Sequence, residues 1–137
     1  MTRIIATLIA WVLASPAMAE GDVEKGKRGF NKCKACHLIA NDAGDVIVKG
    51  GKTGPNLYGL SGRTAGTVAD YRYGASLVEA GEAGLIWDEA NFVEYTQDPK
   101  AFLKTYLDST RAKSKMSFRL KKGAEDIYAY IESVSTE

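Results

Sequence analysis

Histidine is almost missing from this chain. There is one, alongside two cysteines, three prolines and three methionines in 137 residues. A structural zinc centre closes on four protein ligands, and one imidazole with two thiols falls short of that set. An excess of charge is missing too, with 18 basic residues against 17 acidic ones, so nothing in the balance favours a nucleic-acid partner. Long apolar runs are absent past the N-terminus. The one at the start, "IIATLIAWVLA", has about 11 residues, well short of the roughly 20 that a spanning helix needs. It follows Arg3 and precedes Ala17-Met18-Ala19, a small-x-small site, so residues 1–19 are expected to be a cleaved secretory leader. That leaves residues 20–137, enough for one domain, with basic and acidic residues equal once Arg3 is gone.

The glycines and helix signals that are present give an outline. Asp22 can cap a helix from Asp22 to about Lys34, with Val23, Gly26, Phe30 and Cys33 at three- and four-residue steps. From about Leu38 to Thr67 the glycines and "GPN" argue for loop, with "VIV" at Val46–Val48 at most a short extended piece. A short helix is expected over roughly Gly74–Ala80 and another from Asp88 to about Gln97. Asp98-Pro99 then starts a helix reaching about Leu107. Asp108–Lys122 is polar and lysine-rich, without a period. The clearest helix covers about Ala124–Val134, where Ile127, Tyr130, Ile131 and Val134 share one face. Four or five short helices and long loops supply little apolar surface for a core of their own, so something else is expected to fill the middle.

All of the chain's cysteine and histidine lies in "NKCKACH", at Cys33, Cys36 and His37. In an exported protein two cysteines suggest a disulfide, but a Cys-x-x-Cys bridge closes a loop too small to add much stability. A thiol–disulfide oxidoreductase places such a pair at a helix start among alternating strands and helices. Here it lies at the end of an expected helix, and strands are nearly absent. The pattern suits covalent haem attachment: two thioethers two residues apart match two neighbouring vinyl groups, and the adjacent imidazole is delivered to the iron.

The sixth iron position decides what such a haem does. Once the leader is removed, Met116 in "KSKMSF" is the remaining methionine, and no second histidine exists. Its polar neighbours Lys115 and Ser117 argue against a core-filling role. A lysine amine is the competing ligand, although it is strongly hydrated and must lose its proton to bind. With His37 and Met116 both bound the protein is an electron carrier. With a labile sixth ligand it is a peroxidase or gas sensor.

On these residues the chain resembles the class I c-type cytochromes, with cytochrome c2 of purple bacteria and its periplasmic relatives nearest. "GDVEKGKRGFNKCKACH" is similar to the family's first helix, "TGPNLYGLSGR" to its loop, "KMSF" to its ligand segment and "EDIYAYI" to its last helix. The resemblance implies an all-α fold of four to five short helices and long loops around one covalent haem c, in a monomer without stable membrane insertion. It implies that Cys33 and Cys36 are the covalent attachments, that His37 and Met116 ligate the iron, and that the Pro55 carbonyl accepts a hydrogen bond from His37. It further places Arg63, Tyr73 and Trp87 at the haem propionates, Tyr95 beside the ligating sulfur, and Phe118 at the haem edge. The chain departs from the short mitochondrial form by extra residues between His37 and Pro55 and between Pro99 and Met116. "RAKSKM" also stands in place of the usual Pro-Gly-Thr before the ligand.

Charge is unevenly spread along the chain. Five basic residues lie between Lys25 and Lys34, and eight lie between Lys100 and Lys122 with only Asp108 opposing; Tyr73 to Pro99 holds six acidic residues and no basic one. Basic residues thus flank both ligand motifs, and Lys34, Lys113, Lys115, Lys121 and Lys122 are the expected docking cations. By resemblance the partners are a cytochrome bc complex and a photosynthetic reaction centre or terminal oxidase, met in the periplasm.

Overall fold

The computed structural model describes residues 21–136, so the expected leader lies outside the described residues. Among the described residues there are five α-helices: α1 (Val23–Gly29), α2 (Ala75–Glu82), α3 (Glu89–Gln97), α4 (Pro99–Tyr106) and α5 (Ala124–Val134). Aspartates cap three of them. Asp22, Asp88 and Asp98 each accept a hydrogen bond from the backbone N–H three residues on, satisfying a donor that the first helical turn leaves unpaired. Pro99 occupies the first turn of α4, where its missing N–H costs nothing.

The first helix is shorter than its apolar spacing suggested. It ends at Gly29 and tightens into a 3-10 turn over Phe30–Lys32, with Cys33 N–H donating to Phe30 O at 2.8 Å. The loop from Leu38 contains a small antiparallel hairpin, β1 (Ile39–Ala40) with β2 (Val46–Val48), where only a lone extended piece was expected. Ile39 and Val48 face each other across it and are both buried. The second helix runs two residues past its expected end. The polar stretch before α5 carries no regular element.

The fold turns on the crossing of α1 and α5. Gly26 permits it: a Cβ at that position would collide with the Asp126 carbonyl and stand 2.8 Å from Tyr130 Cβ. Phe30 packs its ring on Tyr130 at 5.8 Å, and Asp22 N–H donates to Asp126 Oδ1 at 2.7 Å. Buried Ile127 and Ile131 on α5 and Phe92 on α3 then face inward, onto a space that the helices surround but do not fill. No described helix is long and apolar enough to cross a membrane.

Candidate functional site

That central space is a cavity of about 300 Å³, at the lower end of the usual range for small-molecule sites. Every residue proposed from sequence to bind the cofactor lines it: Cys33, Cys36, His37, Pro55, Arg63, Tyr73, Trp87, Tyr95, Met116 and Phe118. No carboxylate does, whereas Lys32, Lys113 and Lys115 do.

The 3-10 turn delivers the cysteine–histidine motif. His37 N–H and Cys36 N–H both donate to Cys33 O, at 2.9 and 3.1 Å, so the three side chains leave one tight bend. The loop after β2 packs directly onto that bend, with Gly51 N–H on Lys34 O and Gly54 N–H on Cys36 O, each at 2.8 Å. A Cβ on Gly54 would stand 2.6 Å from His37 Nδ1, so glycine is what lets this backbone lie flat on the ring.

His37 Nδ1 donates to the Pro55 carbonyl at 2.8 Å. That fixes the tautomer, and Nε2 carries the lone pair with no hydrogen bond among the described residues. Burial lowers the His37 pKa, against the opposing pull of the Pro55 bond, so the neutral ring is favoured. The two cysteines form no disulfide. Burial pushes the Cys33 thiol up to about 11, which is the reverse of what a thiol–disulfide catalyst needs. Among the described residues there is no group of three or more His, Cys, Asp and Glu that could hold a metal ion.

The far wall is polar in a way that fits an anionic, planar guest. Arg63 is half-buried, and its guanidinium donates to the carbonyls of Tyr58 (2.9 Å) and Asn56 (3.4 Å). Burial lowers its pKa, and no ion pair to a carboxylate is present among the described residues. Trp87 is 6% exposed and lines the cavity. Tyr73 and Tyr95 both have their pKa raised by burial and stay protonated donors at neutral pH. Tyr128 ties this wall to α5, its hydroxyl donating to Trp87 O at 3.2 Å and sharing a hydrogen bond with Ser61 at 2.8 Å. A neutral imidazole, two thiols, a thioether, a guanidinium with no carboxylate partner among the described residues and an indole on one wall together fit a haem with its propionates.

Met116 is half-buried and packs against the core, while Phe118 is 44% exposed at the cavity's edge. Tyr95 Oη lies 3.4 Å from Ser114 Oγ, and Ser114 Oγ donates to Met116 O at 2.9 Å. All five expected docking lysines are exposed, although Lys115 Nζ is also engaged with the Arg72 carbonyl at 2.7 Å. Sequence reasoning missed three contributors. Asn56 brackets Ala40 with two hydrogen bonds and so holds the Pro55 loop. Tyr71 bonds Thr53 O at 2.6 Å, and Ser76 accepts from Lys113 N–H at 3.0 Å. The "GPN" triplet was the one available signal for Asn56.

No family model matches the chain. It is 62% identical to cytochrome c-551 of Roseobacter denitrificans over 136 residues, covering 98% of this chain and 97% of that one. With cytochrome c2 of Rhodobacter capsulatus it shares 54% identity over 129 residues, covering 94% and 93% of the two chains. The structure of cytochrome c2 from Rhodobacter capsulatus superposes with a TM-score of 0.81 at 53% identity, covering 83% of this chain and 98% of that one. Ferric cytochrome c-550 from Paracoccus versutus gives 0.81 at 45% identity, covering 85% and 99%.

Proposed function

This chain belongs to the cytochrome c2, c-550 and c-551 family of class I c-type cytochromes, and from that membership we propose a periplasmic shuttle with the ligand set His37 and Met116. The family consists of electron carriers, not enzymes, and the chain carries one covalent haem c. The observation that supports the ligand assignment is the cavity itself. It gathers the chain's only imidazole, both thiols and the one methionine outside the leader onto its walls.

A haem held there by Cys33, Cys36, His37 and Met116 would supply one-electron exchange between its ferric and ferrous states. The chain's residues set its surroundings. Cys33 and Cys36 provide the thioether links. The Pro55 carbonyl orients the His37 ring and makes it a stronger donor, and the Met116 thioether, a soft ligand, favours the ferrous state. Arg63, Tyr73 and Trp87 would hold the propionates, and Tyr95 would support the Met116 sulfur. Leu57, Leu60, Phe92 and Ile127 exclude water, so the extra positive charge of the ferric state is costly to bury. Phe118 marks the exposed edge where electrons cross.

Residues 1–19 are the export leader in this reading, and the mature chain starts at Glu20. An intact mass together with a redox-poised visible spectrum tests the whole assignment. The expected result is one haem on a chain beginning at Glu20, with the deep-red band of thioether-bound ferric iron lost on reduction. A missing band refutes the Met116 assignment.

The donor is a cytochrome bc complex and the acceptor a photosynthetic reaction centre or terminal oxidase. Docking uses the cations around the edge, Lys34, Lys113, Lys115, Lys121 and Lys122, acting on acidic partner surfaces. The association rate with a bc complex is expected to fall steeply as salt rises, and Lys34→Glu and Lys121→Glu to slow it further. A rate indifferent to ionic strength rejects this face.

A further inference from the structure

The segment carrying Met116 has no helix or strand to hold it. Between Ala112 and Leu120, whose own N–H groups bond Ser109 O and Thr96 O, every hydrogen bond among the described residues runs through a side chain. Two of those bonds cross to one short stretch at the start of α2. Lys113 N–H donates to Ser76 Oγ at 3.0 Å, and Lys115 Nζ donates to Arg72 O at 2.7 Å. The Lys115 stem lies along Gly74 on the way, its Cγ 3.4 Å from where a Cβ on that glycine would sit. Both anchors border the cavity, since Gly74, Lys113 and Lys115 line it.

We propose that Lys115 and Ser76 are positioning residues for the sixth ligand: they strap the Met116 segment onto Arg72–Ser76 and so set how readily the thioether leaves the iron. This rests on Met116 being that ligand. The strap acts through position alone. It flanks Met116 on its N-terminal side, and the Leu120 N–H bond to Thr96 O fixes the segment on the other. Losing the strap leaves the thioether tethered from one side only, so departures become more frequent while the fold, held by α1 and α5, is unchanged. Lysine is suited to the task because a long stem can lie on apolar surface and still present a donor at its tip.

The test uses ferric holoprotein at neutral pH and the rate at which imidazole replaces the thioether, read from the deep-red band. That rate is limited by departure of the sixth ligand, which a purely structural role would not alter at constant melting temperature. Lys115→Leu keeps an apolar stem and removes the donor, and Ser76→Ala removes the acceptor. Each is expected to raise the rate about three- to ten-fold, as loss of one hydrogen bond does, with the melting temperature near that of the parent. Lys115→Arg, which can still reach the carbonyl, is expected to restore the slow rate. Parent-like rates in both Lys115→Leu and Ser76→Ala, with the parent's band intact, overturn the strap alone. A parent protein without the band overturns the ligand assignment and the strap together.

Discussion

Met116→Ala is expected to leave a red protein whose midpoint potential has dropped by a few tenths of a volt, inside the roughly 0.8 V that axial ligands span. The covalent links through Cys33 and Cys36 do not involve Met116, so colour survives. A thioether, a soft and weakly donating ligand, favours ferrous over ferric iron, and its loss to water or hydroxide reverses that preference. Nearby side chains offer no replacement of the same kind, because no other methionine lines the cavity. The same change frees one face of the iron, so cyanide is expected to bind quickly at neutral pH where the parent binds slowly. Potentiometry and cyanide kinetics on one preparation check both halves. An unchanged potential would refute the ligand role, whatever the binding rate.

Gly26→Ala carries the largest expected loss of stability. In an isolated helix the substitution would gain about 1 kcal/mol from propensity. Here the added Cβ meets the Asp126 carbonyl and lies 2.8 Å from Tyr130 Cβ, so neither neighbour can rotate away. Relief requires α1 and α5 to part, which loosens the Phe30–Tyr130 contact and the Ile127 and Ile131 packing beneath it. Overpacking commonly costs about 1–3 kcal/mol, and a clash with backbone belongs at or above the top of that range. The net loss, about 2–3 kcal/mol after the propensity gain, is a large fraction of a small domain's stability. Guanidinium titration of the holoprotein reads it directly. An alanine variant as stable as the parent would mean the two helices do not approach this closely.

Where the residue type itself dictates local geometry, the sequence was a good guide. Aspartate before a helix and proline in its first turn have one usual use, and α3, α4 and α5 start where Asp88, Pro99 and Ala124 put them. The end of α1 was misjudged because Cys33 sits on the apolar period of that helix, although the chain has already tightened to bring Cys33, Cys36 and His37 round one bend. The β1–β2 hairpin escaped because two- and three-residue strands, with Val46 and Ile47 exposed, carry no alternation to detect. At the site, residues proposed from motifs all reached the cavity. Asn56, Tyr71 and Ser76 act on backbone groups distant in sequence, and such pairings leave no spacing to read.

The hollow lined by α3, α5 and the loops around them has a consequence for the cell's supply of this protein. Until its guest arrives, the cavity-facing sides of Ile127, Ile131, Phe92 and Trp87 lack a packing partner, and part of the folding free energy is still to be gained. Cofactor insertion therefore adds to the stability of the fold. Newly made chains that miss it are more open to proteolysis, so abundance is expected to track haem delivery as well as synthesis.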